Sequence, residues 1–228
     1  MLGRSKGERA HRRMRHTSPP IPGTEQPDRA ELPRPKGPWD IDDVDEAAVS
    51  EDDPNLVDLG GLLVRGRPGL EMRLQVDERD QAVVAVLLVA EEGAVEMRAF
   101  AAPRNESIWD DVRREIGAET TRRGGTATEQ AGEFGTELQL VVPVQSPDGQ
   151  HAQQVSRVVG VSAPRWLLRG TFLGRPAQEP DPQGVLESAF REVVVRRGEG
   201  PMAPRNPIPL QMPPGAEPGE APAGPEQA

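Results

Sequence analysis

The sequence contains no cysteine and only three histidines, which excludes several kinds of site. Without cysteine the chain has no disulfide, no thiolate ligand for a metal and no cysteine nucleophile. His11 and His16 lie in a basic N-terminal stretch, so a histidine base or metal site would depend on His151 alone. A single histidine beside a hairpin turn is usually a surface residue. We therefore predict no metal site.

Long apolar runs are also absent. The basic residues after Met1 and Leu2 are not followed by the apolar core of a signal peptide. No later run reaches the roughly 18 apolar residues of a membrane helix. We expect a cytoplasmic protein that does not insert into a membrane.

The sequence lacks the short motifs that mark common enzymes and cofactor sites. It has no phosphate-binding loop, no G-x-S-x-G nucleophile motif and no glycine-rich dinucleotide motif. A net charge of −10 and a pI near 4.9 argue against a dedicated DNA-binding protein. These absences favour a protein that is not an enzyme and carries no cofactor.

Proline and glycine are abundant, with 25 and 24 residues, and their distribution divides the chain into three parts. Residues 1–54 contain a basic head, a proline-rich linker and an acidic run, and residues 213–228 are almost entirely Pro, Gly, Ala and Glu. Such segments cannot bury enough apolar surface to offset the entropy lost on ordering. We predict disordered tails at 1–54 and 213–228 around a single domain at 55–212.

The first half of that domain alternates apolar and polar residues with the period of strands and then of a helix. Residues 70–76, 82–90 and 94–102 are predicted strands that form a meander. Residues 105–125 are a predicted helix whose apolar stripe is Ile108, Trp109, Val112, Ile116 and Thr120. This order predicts one unit of three strands followed by a helix.

The second half repeats the order. Strands are predicted at 136–144, 151–161 and 165–173, and a helix at 181–198 with Asp181 as its N-cap. We predict an α+β fold in which two β-meander-plus-helix units build one antiparallel sheet, with both helices packed on one face.

Arginines concentrate in residues 149–178, which contain four of them and no acidic residue. The strand pattern places Arg165, Arg169 and Arg175 on one face and Trp166 in the core on the other. Guanidinium groups bind carboxylates and phosphates in a bidentate manner, so this face predicts recognition of an anionic partner. The alternative is that these arginines pair with Glu137, Glu71 or a neighbouring helix.

An Ala-Pro-Arg tripeptide occurs three times, ending at Arg104, Arg165 and Arg205. Because proline ends strands and begins turns, the simplest interpretation is that the tripeptides mark turns. The alternative is a shared role, in which Arg104 and Arg205 join Arg165 around one anion.

The two ends of the N-terminal tail carry features typical of interaction segments. The basic head resembles an arm that contacts nucleic acid or anionic lipid. Trp39 and Ile41 precede an acidic run, which is the composition of a linear motif that docks an aromatic side chain into a basic groove, including the arginine face of its own domain. The alternative is a solubilising linker.

Several blocks, among them "VDLGGLLV", "AFAAPRNESIWDDVRREI" and "VVGVSAPRWLLRGTFLGR", resemble an actinobacterial family described only as domain of unknown function 3710. The resemblance covers residues 37–210 and implies a cytoplasmic protein of an actinomycete, with no assigned activity. We therefore predict a non-enzymatic binding or adaptor protein with an unknown protein partner. The alternative is a regulator or enzyme that uses the same arginines on a nucleotide, a nucleic acid or another phosphorylated ligand.

Overall fold

The computed structural model describes residues 37–50, 52–77, 79, 82–145, 149 and 151–213. It contains two sheets, mostly antiparallel, and a few helices, which confirms the predicted α+β class. Among these residues, no helix has the length and apolar character needed to cross a membrane. Residues 1–36 and 214–228 of the two predicted tails, and residues 146–148 and 150 of the predicted turn, lie outside the described part.

The described chain contains eleven strands, three α-helices and two 3₁₀ helices, the last at Ile41–Asp43 and Glu46–Val49. In chain order the strands and α-helices are β1 (Trp39–Asp40), β2 (Leu56–Asp58), β3 (Leu62–Arg65), β4 (Glu71–Val76), β5 (Val83–Ala90), β6 (Gly93–Ala101), α1 (Trp109–Arg122), β7 (Thr126–Gly132), β8 (Gly135–Gln145), β9 (His151–Ala163), β10 (Trp166–Gly174), α2 (Arg175–Gln178), α3 (Val185–Arg191) and β11 (Val194–Val195). The large sheet has the order β4-β5-β6-β10-β9-β8-β7, and the small sheet has the order β1-β11-β3-β2. Every neighbouring pair in the large sheet is antiparallel.

The two faces of the large sheet carry separate apolar clusters. The cluster beneath α1 contains Ala102, Ile108, Trp109, Leu138, Leu140, Val158 and Leu167. The opposite cluster joins the small sheet and α3 to the large sheet and includes Leu62, Val86, Met97, Trp166, Leu168, Phe172 and Phe190. Because consecutive residues of a strand point to opposite faces, Leu167 and Leu168 belong to different clusters.

The helices α1 and α3 therefore lie on opposite faces, and the prediction that both helices pack on one face is wrong. The reason is visible in β9 and β10, which are apolar on both faces over Val158–Val159 and Leu167–Leu168. Each face of such a strand must be covered. On the α1 side the Trp109 ring packs against β9 at Gly160, where a Cβ would lie 2.2 Å from the indole.

The second predicted helix is shorter than expected. The side chain of Asp181 accepts a hydrogen bond from Gln183 N at 2.9 Å within a turn, and the N-cap of α3 is Gly184. Beyond α3 the chain returns to a strand at Val194–Val195. Its β-branched side chains favour a strand, and the backbone pairs with β1 and β3.

The segment at 37–50, which the sequence pattern places in the disordered tail, is part of the folded structure. Trp39 and Asp40 pair in parallel with β11, and Trp39 N donates to Val193 O at 2.9 Å. Arg65 pairs with the Asp53 carboxylate and donates to the Ala48 carbonyl at 3.0 Å. Backbone pairing of β1 with β11 and the hydrogen bond from Arg65 to the Ala48 carbonyl thus attach this segment to the domain.

Candidate functional site

The three Ala-Pro-Arg segments meet at one end of the large sheet. Ala102 N donates to Arg165 O at 2.8 Å, and Arg165 N donates to Pro103 O at 3.2 Å. On the other side, Arg205 N donates to Ala101 O at 2.7 Å, and Ala101 N donates to Asn206 O at 2.8 Å. We call residues 101–105, 163–166 and 203–206 the tripeptide junction.

Two of the three tripeptides form tight turns. Arg165 and Arg205 have φ values of 74° and 72°, and they are the non-glycine residues with positive φ in the described chain. Each follows a proline, and Asn206 N donates to Ala203 O at 3.1 Å. This is the arrangement of a type II turn, which usually has glycine at the position that arginine occupies here. The turn interpretation is therefore confirmed for these two segments.

The side chain of Arg165 lies beside Arg197, which follows β11. Arg165 Nη2 donates to the carbonyls of Gly198 at 3.3 Å and Glu199 at 3.2 Å, and Arg197 Nη1 donates to those of Gly198 at 2.9 Å and Gly200 at 2.5 Å. Burial, and then the charge of Arg165, lower the pKa of Arg197. The Nε atom of Arg197 is buried and has no hydrogen-bond partner within the described part of the chain. These guanidinium groups therefore contact main-chain carbonyls, and none of the ion pairs in the described chain includes them.

The other two tripeptide arginines differ from each other. Arg104 is exposed and makes no hydrogen bond or ion pair with the described residues. Arg205 is paired with α1, since its Nη1 lies 2.7 Å from Glu115 Oε1 and its Nη2 lies 3.7 Å from Asp111 Oδ2. The hydrogen bond and charge of Glu115 raise the pKa of Arg205. Arg205 thus ties the junction to α1, whereas Arg104 has no partner among the described residues.

The remaining predicted arginines lie away from the junction. Arg169 is in the middle of β10 opposite Arg98, with its Cζ 5.5 Å from the centre of the Phe100 ring and its Nη2 3.9 Å from Glu96 Oε1. Burial and the charge of Arg98 lower the pKa of Arg169. This arginine therefore faces the α1 side of the sheet, beside a second arginine.

The predicted row of Arg165, Arg169 and Arg175 does not form. Arg165 precedes β10 and Arg175 follows it, where it pairs with the Glu92 carboxylate. Nine strand residues at about 3.3 Å each separate the two by about 30 Å. The predicted row treats residues 165–175 as one continuous strand, whereas Arg165 lies in a turn before β10 and Arg175 begins α2 after it. Whether Arg169 or Arg175 binds a partner stays a prediction.

Trp39 and Ile41, the predicted linear motif, are half-buried. Trp39 lies in β1. The neighbouring Asp40 accepts a hydrogen bond from the indole N–H of Trp166. The Trp166 side chain is completely buried, as the strand pattern predicts. The acidic run contacts Arg65 of its own domain. Binding of Trp39 to another protein stays a prediction.

A second group of charged residues was not predicted as a site. Glu137, Arg157 and Glu187 are each 1% exposed, and the Arg157 guanidinium lies between the two carboxylates. Arg157 Cζ also lies 4.2 Å from the centre of the Phe172 ring. Burial is the main cause of a raised pKa at Glu187, against the opposing effects of hydrogen bonds and Arg157. The one sequence signal was an arginine in the middle of a predicted strand, directly before the apolar residues Val158 and Val159. Its partners lie 20 and 30 residues away in sequence, and of the two only Glu137 was among the expected arginine partners.

Comparison with known proteins identifies the family and no activity. No curated protein matches the chain significantly. The solution structure of cyanobacterial PsbP (CyanoP) from Synechocystis sp. PCC 6803 is similar with a TM-score of 0.32 and 10% sequence identity, covering 60% of this chain and 87% of that chain. The family described as "Protein of unknown function (DUF3710)" matches residues 37–218, and the chain belongs to that family.

Proposed function

We propose that this protein is a non-enzymatic binding module and that its tripeptide junction recognises carboxylates on a partner protein. The observation that carries the proposal is the meeting of three Ala-Pro-Arg segments at one end of the sheet, beside Arg197. Arg104, Arg165 and Arg197 have no carboxylate partner among the described residues. An actinobacterial origin and a cytoplasmic location, both implied by the family resemblance, belong to the same proposal.

Charge balance supports an anionic partner. The chain has 37 acidic residues against 27 basic ones, and most described arginines pair with a carboxylate. Arg165 and Arg197 instead lie together, and burial, followed by repulsion from Arg165, lowers the pKa of Arg197. A carboxylate bound between them would relieve this repulsion and supply an acceptor for the buried Nε of Arg197.

The location of these arginines favours a macromolecular partner. Arg104 is exposed, and Arg165 sits at the tip of a turn. A cleft lies between β7, β8, β9 and residues 178–187. Its lining does not include Arg104, Arg165 or Arg197. Two of the junction residues hold positive φ values, and such backbone conformations concentrate at functional sites. One exposed arginine and two half-buried ones, all outside the cleft, fit an adaptor better than an active site.

The test uses the full-length protein and three fluorescent probes: a polyglutamate peptide, ATP and a single-stranded oligonucleotide. We expect the peptide to bind, more weakly at high salt, because Coulomb interactions at a surface are screened. The double variant Arg165→Gly, Arg197→Gln should lose this binding. The control variant Arg114→Gln, Arg122→Gln changes the net charge equally on the exposed face of α1 and should keep it, since these side chains are 71% and 73% exposed.

The possible outcomes separate the functions. Equal loss of peptide binding in both double variants, or no binding at all, contradicts the proposal. Tight binding of ATP or of the oligonucleotide that depends on Arg165 and Arg197 would instead support the alternative, a nucleotide-binding or nucleic-acid-binding regulator.

A further inference from the structure

A cleft of about 220 Å³ is lined by residues from β7, β8, β9 and the segment 178–187. Its lining includes the buried Glu137, Arg157 and Glu187, and it includes no residue of the tripeptide junction. The cleft is therefore a separate feature of the molecule, independent of the proposed function.

The buried charges of the cleft do not balance. Arg157 Nη1 donates to Glu137 Oε2 at 3.2 Å, Arg157 Nη2 donates to Glu187 Oε1 at 2.5 Å, and Arg157 Nε donates to Pro176 O at 2.9 Å. One guanidinium thus serves two carboxylates, which leaves one negative charge in excess when both are ionised. A buried charge without a compensating partner is costly, so this arrangement favours a bound cation or proton.

One carboxylate oxygen in the cleft has no donor. Glu187 Oε1 accepts from Arg157 and from Asp181 N at 3.4 Å, whereas Glu187 Oε2 is buried and accepts no hydrogen bond from any described residue. Gly184 packs close to this oxygen, since a Cβ there would lie 2.9 Å from Oε2 and 2.9 Å from Asp181 O. Buried polar atoms in proteins are nearly always hydrogen-bonded, so Oε2 marks the place of a missing donor.

We propose that the cleft binds a small organic cation through a primary ammonium group that donates to Glu187 Oε2. The positive charge of the ligand balances the second carboxylate. The volume is below the roughly 300 Å³ at which pockets for drug-sized molecules begin, so the ligand has few heavy atoms. The described residues contain no group of three His, Asp or Glu placed to hold a metal, which favours an organic cation over a metal ion.

The lining of the cleft suits such a ligand. Gln130, Gln139 and Gln178 contribute amide groups, and Gln139 Nε2 donates to Ala177 O at 3.2 Å. Pro180 and Pro182 add apolar surface that can contact the carbon atoms of a short alkyl chain. A primary alkylammonium ion combines the three properties required, which are N–H donors, one positive charge and a small apolar part.

The test is a titration of the ¹⁵N-labelled full-length protein with ethylammonium chloride, followed by backbone amide shifts. Tetramethylammonium has the charge without an N–H donor, and ethanol has a donor without the charge. We expect saturable shifts with ethylammonium, confined to residues 130–139 and 178–187, and at least about tenfold weaker responses to the other two probes. The absence of saturable shifts, or an equal response to either control probe, overturns the proposal.

A matched pair of variants locates the acceptor. Glu187→Gln keeps the shape of the side chain and removes the charge, and it should weaken ethylammonium binding at least about tenfold. Glu179→Gln removes an exposed carboxylate from the same segment and should leave binding unchanged. Wild-type affinity in Glu187→Gln overturns the proposal. If that variant does not fold, the comparison of the three probes on the wild-type protein still decides.

Discussion

Replacing Arg157 with methionine should destabilise the protein far more than the same replacement of an exposed arginine. Arg157 is 1% exposed and donates to two carboxylates and one carbonyl, while methionine fills most of the volume of its aliphatic stem. Most of the lost unfolding free energy is therefore electrostatic, because Glu137 and Glu187 stay buried without the guanidinium group that they share. Breaking a buried ion pair by removing one partner costs about 3–5 kcal/mol. For a domain of this size that corresponds to a fall in Tm of about 10 °C.

The assay is urea unfolding at neutral pH followed by circular dichroism, with Arg175→Met as the control. Arg175 is 59% exposed and pairs with Glu92, and exposed ion pairs contribute about 0–1 kcal/mol. The difference in unfolding free energy between wild type and Arg157→Met should become smaller toward acidic pH, because the two unpaired carboxylates take up protons there. If Arg157→Met lowers the unfolding free energy by less than about 1 kcal/mol at neutral pH, the reasoning is refuted. Such a result would mean that Arg157 does not neutralise the buried carboxylates.

Three other predictions concern individual residues. Because the folded-state pKa of Glu187 is raised, its contribution to stability is complete below its unfolded pKa and is lost as the pH rises through the folded value. In urea titrations, the unfolding free energy of Glu187→Gln minus that of the wild type should therefore increase from acidic to neutral pH. A difference that does not change with pH would contradict this. Gly160→Ala should lower the unfolding free energy by about 1–3 kcal/mol, because the added Cβ meets the Trp109 ring. Gly200→Ala is the control and should leave thermal unfolding nearly unchanged, because no described atom lies within 4 Å of the added Cβ. Arg165→Gly should be more stable than Arg165→Ala by about 1 kcal/mol because glycine adopts the φ of 74° without strain, and equal stabilities would contradict the turn geometry.

Sequence periodicity predicted the elements that have a clear apolar face. β4, β5, β6 and α1 lie close to the predicted ranges, and the predicted stripe of α1 contacts the sheet through Trp109, Val112 and Ile116. β7 was missed because "TATEQAG" has almost no apolar side chain and depends on backbone pairing with β8. The two-residue strands β1 and β11 were missed because they are too short to show a period.

The arrangement of the candidate sites depended on tertiary contacts that no local pattern contains. The turn role of Pro164 and Pro204 was readable from the sequence. Their meeting with Pro103 depends on the pairing of β6 with β10 on one side and with residues 206–208 on the other. Arg197 lay inside a predicted helix, and only the termination of α3 at Arg191 brings it next to Arg165.

The most direct test of the proposed function is to observe the arginine side chains while a partner group binds. The Nε–H signals of the guanidinium groups can be followed by NMR as polyglutamate peptide is added to the ¹⁵N-arginine-labelled protein. The account predicts that the signals of Arg104, Arg165 and Arg197 shift and saturate together, while those of Arg169 and Arg175 stay in place. Shifts confined to Arg169 and Arg175, or no shifts at all, would contradict recognition at the tripeptide junction.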